Sequence, residues 1–200
     1  TYYGTQFISG KDSMFNDFKG YDVKGDAVKI SAPPTLLISA LGVIENTHQT
    51  LSLDVKQAGD AIYMMGITKN ELGASEYMAL QDKLGVNVPM LDTETHFRHY
   101  QLWSELLSEQ LVNAAIAVNY GGLATAITKM AMGGNLGVEI LLEHLPQSAC
   151  EEDHLLCFSE SAGRMLFTVP EYAVEQLEML IADEPDIARI GSVKSHQEIR

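Results

Sequence analysis

Ten residues, Thr35 to Ile44, are nearly all apolar, and the double proline Pro33-Pro34 stands directly before them. A run this short, with no polar stripe, reads as a strand buried on both faces. A second run, Ala61 to Ile67, follows the turn Gln57-Ala58-Gly59-Asp60 and reads the same way. Strands apolar on both sides need cover on both sides, and helical periodicity supplies it. Trp103, Leu107, Leu111, Ala114 and Val118 recur every three or four residues, which predicts one long helix from Thr95 to Val118. Leu123, Ile127 and Met130 mark a second helix ended by Gly133-Gly134. Pro170 opens another, with Glu171 in its first turn and Val174, Leu177 and Ile181 on its buried face. Gly73 to Leu84 reads as a short helix, and Leu136–Glu143, Arg164–Val169 and Ile187–Val193 as strands. That order predicts an α+β fold, a mixed β-sheet covered by helices.

The 200 residues contain 46% hydrophobic side chains, ample for a core. Thirteen basic against 27 acidic side chains give a formal charge of −14. Such a field repels nucleic acid and anionic membranes, so neither is an expected partner. It also repels phosphorylated ligands, so a phosphate site must be built locally from backbone N–H groups and a few cations. No apolar stretch approaches the length that a bilayer demands, and no signal peptide is visible. Cys150 and Cys157 are too few for a disulfide framework and wrongly spaced for zinc. These features fit a cytoplasmic protein. The chain opens at Thr1 without an initiator methionine. Residues 1–32 therefore read as the end of a preceding, truncated domain with a linker, and residues 33–200 as the domain proper.

Three clusters carry candidate chemistry. In Gly10-Lys11-Asp12-Ser13 a glycine admits an anion to the backbone, a lysine neutralises it and a serine hydroxyl orients it. A polar surface loop would look similar, and Asn16 and Asp17 read as turn caps. Gly121-Gly122 precedes a helix, so free N–H groups point outward at the positive end of its dipole. The same glycines equally serve close helix packing. Ser159, Glu160, Ser161 and Arg164 join two hydroxyls and a guanidinium suited to phosphate or carboxylate with a carboxylate suited to a sugar hydroxyl or amine. The bland counterpart is a surface Arg164–Glu160 pair. Glu71, Ser75 and Glu76 could contribute to the same cleft, but as helix-start residues they need no function. His96 and His99 lie three apart without a third ligand and read as a solvated or half-buried pair, while His144 and His154 read as surface residues. No catalytic triad or nucleophilic cysteine stands out.

Taken together, Gly10-Lys11-Asp12-Ser13-Met14 and Pro33-Pro34-Thr35-Leu36-Leu37-Ile38-Ser39 resemble phosphoribosylformylglycinamidine synthase, which writes its loop as SGKDSM or SGNVSLYNE before a PPTLLIS-like strand. Gly59-Asp60-Ala61-Ile62 through Glu71-Leu72-Gly73-Ala74-Ser75-Glu76-Tyr77 is similar to its GD-x-I and ELGGSEY elements. Gly121-Gly122-Leu123-Ala124 and Phe158-Ser159-Glu160-Ser161-Ala162-Gly163-Arg164 are similar to its GGLA and FSES-x-GR. Order and spacing agree from Gly4 to about Val169. The resemblance implies the C-terminal-domain fold of aminoimidazole ribonucleotide synthase and a share in an ATP-dependent ligase of purine biosynthesis. It also implies ATP and Mg²⁺ in the full-length enzyme, a phosphorylated small-molecule substrate and a glutaminase domain or subunit. A pseudo-symmetric sister domain or a homodimer completes the expected assembly.

By the same resemblance, Gly10, Lys11, Asp12, Ser13, Gly121, Gly122, Ser159, Glu160, Ser161 and Arg164 are the candidate substrate- or nucleotide-binding residues. None is expected to be catalytic. Two departures stand out. Lys11 stands where one family branch has a magnesium-binding asparagine, and an ammonium cannot ligate a metal. The family's H-D-x-S-D-G-G-L reads Ile116-Ala117-Val118-Asn119-Tyr120-Gly121-Gly122-Leu123 here, without the histidine and both carboxylates. This suggests the structural member of a pseudo-symmetric pair. The rivals are a degenerate scaffold domain and another superfamily member of the aminoimidazole ribonucleotide synthase or selenophosphate synthetase type.

Overall fold

A computed structural model describes residues 3–11, 17–44, 46, 47, 50–150 and 152–200. Contacts divide the chain into two compact units, Thr1–Glu45 and Asn46–Arg200.

The first unit is built on a hairpin of β1 (Phe18–Tyr21) and β2 (Ala27–Ile30), paired antiparallel. Asp22 shapes its turn, where Oδ1 accepts from the amides of Lys24 at 2.8 Å and Asp26 at 3.0 Å. Lys29 and Asp17 form an ion pair at 2.8 Å. The buried strand expected over Thr35–Ile44 does not form. Residues 31–44 carry no regular structure, and Leu36, Leu37, Ile38, Leu41, Val43 and Ile44 are exposed. Apolar pattern alone cannot make a strand, because each strand needs a hydrogen-bonding neighbour. Among the described residues of this unit the ladder is confined to the hairpin.

The second unit runs β3 (Ala61–Met65), β4 (Thr68–Lys69), α1 (Glu76–Ala79), α2 (Thr93–Ser108), β5 (Ala114–Ala117), α3 (Gly122–Gly134), β6 (Gly137–Ile140), β7 (Gln147–Ser148), α4 (Asp153–Phe158), β8 (Met165–Val169), α5 (Val174–Leu180) and β9 (Ile187–Lys194). Five strands form one sheet in the order β5-β8-β3-β9-β6, antiparallel throughout. Parallel pairing occurs between β4 and β7 and in the Val138–Ile199 bridge. The sheet covered by helices is therefore as the sequence implied.

All five residues of β3 are buried, and they alternate between two cores. Ile62 and Met64 join Leu166 and Ile190 against Leu123, Ile127 and Met130 of α3 and Leu155 and Leu156 of α4. Ala61, Tyr63 and Met65 join Phe167 and Val169 against Leu106 of α2 and Leu177 of α5. Phe167 stacks on Tyr63 with centroids 5.7 Å apart and meets the Trp103 ring edge-on at 5.3 Å. Fully burying such a side chain contributes about 1.5–3 kcal/mol, so a central strand serving two cores anchors the whole unit.

The long helix stops ten residues before Val118, its expected end. Gln110 takes a left-handed φ of 56°, the amide of Gln110 donates to the Leu107 carbonyl, and that of Leu111 reaches back to Leu106. This capping motif usually uses glycine, and its absence hid the boundary. Ala114 to Ala117 then pair with β8 as an edge strand. The helix expected over Gly73–Leu84 shrinks to α1, with Asp82 also at positive φ. Helix α4 lies in a stretch that carried no apolar periodicity. Among the described residues no helix is long and apolar enough to cross a membrane.

Candidate functional site

Three segments distant in sequence meet around Glu160, which follows α4. Its Oε1 accepts from the backbone amide of Gly121, at the entry to α3, and from that of Glu76, at the entry to α1, both at 2.9 Å. The amide of Glu160 donates to the Glu71 carbonyl at 3.3 Å. Ser75 caps α1 by accepting from the Met78 amide, and its hydroxyl donates to the Leu72 carbonyl at 2.7 Å. Gly121 offers α3 no side-chain cap, so the Glu160 carboxylate does that work from outside the helix. At Gly121-Gly122, read as an anion seat, the Gly121 amide is taken by a carboxylate of the protein itself.

The two glycines are also required by geometry. Gly121 and Gly122 have φ of 78° and 64°, and a Cβ on Gly122 would stand 2.7 Å from the carbonyl oxygens of Cys157 and Ser159. The close packing foreseen as the alternative role is therefore present as well.

Arg164 lies inside the protein, 2% exposed, rather than at the surface. Its Nε donates to the Ser161 carbonyl at 3.0 Å, Nη1 to the Thr68 hydroxyl at 3.0 Å, and Nη2 to the Ser159 carbonyl. Burial pulls its pKa down to about 10, against the opposing influence of Glu71 nearby, so it is a cation at neutral pH. The guanidinium is spent on knitting β4 to the Ser159–Ser161 segment. Ser161 adds a second tie, its Oγ accepting from the Lys69 amide at 3.0 Å. The Ser159 hydroxyl is buried without a hydrogen-bond partner among the described residues.

Glu71 is, by sequence, a candidate for the cleft of Ser159 and Arg164 as well as a helix-start residue. Its Oε1 accepts from the Met90 amide at 3.0 Å, closing the loop that carries α1, while its buried Oε2 has no partner among the described residues. Beside it a recess of about 50 Å³ is lined by Asp92, His96, His99, Ser161 and Asp186. Both histidines are buried, which corrects the solvated or half-buried reading; His99 is 1% exposed. They share one helical face, and that face packs inward. His99 Nε2 lies 3.5 Å from Asp186 Oδ2, and burial lowers the pKa of the ring despite that neighbour. A Cβ on Gly163 would press into the His96 ring at 2.3 Å. Among the described residues no group of three His, Cys, Asp or Glu side chains is placed to hold a metal ion.

A wider groove of about 410 Å³ runs between the α1 loop and α4, lined by Leu72, Tyr77, Met78, Lys83, Asn87 and Leu155 among others. Tyr77 stacks on Phe158 and on His154 with centroids 5.0 and 5.8 Å apart. The sequence offered no signal for this groove, since α4 was not expected. His144 is exposed, as read. Gly10 and Lys11 belong to the N-terminal unit and are exposed there. Asp12, Ser13 and Asn16 lie outside the described residues.

Comparison with known proteins adds kinship to this geometry. Residues 57–200 match the family described as AIR synthase related protein, C-terminal domain. The phosphoribosylformylglycinamidine synthase subunit PurL of Thermococcus sibiricus is 30% identical over 192 residues, which cover 94% of this chain and 25% of that protein. The same subunit from Methanobrevibacter smithii is 34% identical over 191 residues, 94% of this chain and 25% of that protein. The chain thus spans about a quarter of the length of these relatives. Among solved structures, T. maritima PurL complexed with FGAR superposes with a TM-score of 0.64 at 20% identity, covering 74% of this chain and 26% of that one. E. coli HypE, a hydrogenase maturation protein, superposes with a TM-score of 0.55 at 20% identity, covering 76% of this chain and 48% of that one.

Proposed function

This chain belongs to the AIR synthase related protein family through its C-terminal domain, and from that membership we propose that it is a working part of a phosphoribosylformylglycinamidine synthase. That enzyme is an ATP-dependent ligase of cytoplasmic purine biosynthesis. In the proposed reaction ATP activates the formyl amide oxygen of formylglycinamide ribonucleotide. Glutamine-derived ammonia then displaces phosphate to give the amidine. The observation that carries this reading is relatedness along nearly the whole chain, 30–34% identity over 94% of its length, to subunits of that name.

Within the proposed enzyme this chain supplies no catalytic group. The Gly10-Lys11-Asp12-Ser13 loop is proposed to meet a phosphate of substrate or nucleotide, with the Lys11 ammonium as its counter-charge. Separately, Gly121, Gly122, Ser159, Glu160, Ser161 and Arg164 are proposed to form a rigid wall beside a substrate or nucleotide cleft of the full enzyme. Their polar groups point into the protein: Arg164 holds carbonyls and Glu160 holds amides. The residues at the Gly121-Gly122 turn do not fit ATP with Mg²⁺. Carboxylate ligands are missing from Ile116 to Tyr120, where the family writes its histidine and aspartates, and the Gly121 and Gly122 amides already donate to Glu160 and to the Asn119 carbonyl. Nucleotide and metal would be held by other parts of the synthase, and ammonia would come from a glutaminase domain or subunit.

ADP release tests the proposal, measured in a polypeptide carrying this domain with the remaining parts of a synthase. It is assayed with Mg-ATP and ammonia, with and without formylglycinamide ribonucleotide. Release that depends on the substrate supports the synthase; none from a folded protein overturns it. The inward-facing Arg164 and Glu160 specifically favour a second reading, a non-catalytic member of a pseudo-symmetric pair that holds its sister domain. In that case K11A would leave ADP release unchanged.

A further inference from the structure

A helix N-terminus with an uncapped glycine attracts anions, and the one at α3 has a partner built in. Gly121 caps α3 without a side chain, and the first turn of α3 contains no acidic residue. A single oxygen, Glu160 Oε1, satisfies the Gly121 amide and the Glu76 amide together, each at 2.9 Å. These amides head two different helices and converge on one point, the geometry that an external phosphate or carboxylate oxygen would need. Bonds from N–H groups to an ionised carboxylate are charge-assisted and stronger than neutral ones. The carrying segment is fixed as well: the Glu160 amide binds the Glu71 carbonyl, and its neighbours Ser159 and Ser161 offer their carbonyls to the buried Arg164.

We propose that Glu160 is a resident anion: it occupies the seat at the entry of α3, excludes external phosphate from it, and clamps the Gly121 turn to the α1 loop. The inference goes beyond the synthase reading and does not depend on it, since it rests on contacts within one unit. Charge and geometry make separable contributions. A glutamine at this position keeps a carbonyl oxygen for both amides but removes the charge, whereas alanine removes both.

Amide-resolved NMR of the 200-residue chain tests this, with wild type, E160Q and E160A titrated with inorganic phosphate against chloride at matched ionic strength. In wild type the Gly121 and Glu76 amides show no saturable phosphate response. In E160A both amides exchange with solvent at least about tenfold faster, and both gain a saturable response to phosphate. In E160Q exchange of both amides rises, but less than in E160A. A saturable response in wild type, or folded E160A with wild-type exchange or no phosphate response, overturns the proposal. Should E160A fail to fold, the wild-type titration and E160Q exchange decide it, and E160Q exchange equal to wild type counts against it.

Discussion

His99 Nε2 lies 3.5 Å from Asp186 Oδ2, yet neither ring nitrogen of His99 makes a hydrogen bond among the described residues. The contact joins α2 to the entry of β9, and Arg98 reinforces it from outside, with Nε 3.0 Å from Glu184 and Nη2 3.4 Å from Asp186. Burial outweighs the attraction of Asp186, so the folded ring has a lowered pKa. The unfolded chain then takes up a proton near the ordinary histidine pKa while the folded chain does not. The contribution of His99 to stability is full above that ordinary value and declines as the pH falls from there toward the lowered folded value. Urea unfolding between pH 8 and pH 5 should show this loss, and H99Q should flatten it relative to wild type. An unchanged pH slope in H99Q would remove His99 as its source.

Arg164 supports three acceptors, the Ser159 and Ser161 carbonyls and the Thr68 hydroxyl. R164M should cost about 3–5 kcal/mol, because it strands the Ser159 and Ser161 carbonyls and leaves the Glu71 charge without its nearby cation. R164K should cost less, since it keeps the charge but not the planar fork. Equilibrium denaturation of both variants reads the difference, and equal losses would mean that the planar fork matters and the charge does not.

Gly122 combines a left-handed backbone with contact against two carbonyls. G122A should therefore destabilise by about 2 kcal/mol or more. Gly10 has open space around it, and G10A should stay within about 0.5 kcal/mol. Thermal melts of the pair provide the comparison.

The left-handed residue that ends α2 is Gln110, not glycine. Q110G should relieve the Cβ strain and stabilise the protein by about 0.5 kcal/mol, the gain being trimmed by the freedom glycine restores to the unfolded chain. A fall in the denaturation midpoint would show that the glutamine stem packs usefully against the helix end.

What could be read in the sequence was what repeats locally. The stripe Leu123, Ile127 and Met130, the strands at Ala61 and Arg164, and the proline-started helix near Val174 all carry their signals within a few residues. Thr35–Ile44 misled because a strand also needs a neighbour, which pattern does not supply. The end of α2 misled because its capping geometry is carried by a glutamine. In the candidate site, Gly121, Glu160 and Arg164 were legible as polar punctuation, but their partners were not. Glu160 meets Gly121 and Glu76 only after the sheet has folded, and Arg164 turned inward for the same reason. The burial of His99 depended on which face of α2 the sheet would cover.

Strand β3 places Ile62 and Met64 in one core and Tyr63 and Met65 in the other. Since neighbouring side chains on a strand point oppositely, a slip of one residue would exchange the contents of the two cores wholesale. Tyr63 would then have to fit among the side chains of α3, away from the Phe167 ring and from Glu178, which its hydroxyl now reaches at 2.9 Å. The strand thus works as a reading frame: one position out, every following letter is assigned to the wrong half of the domain.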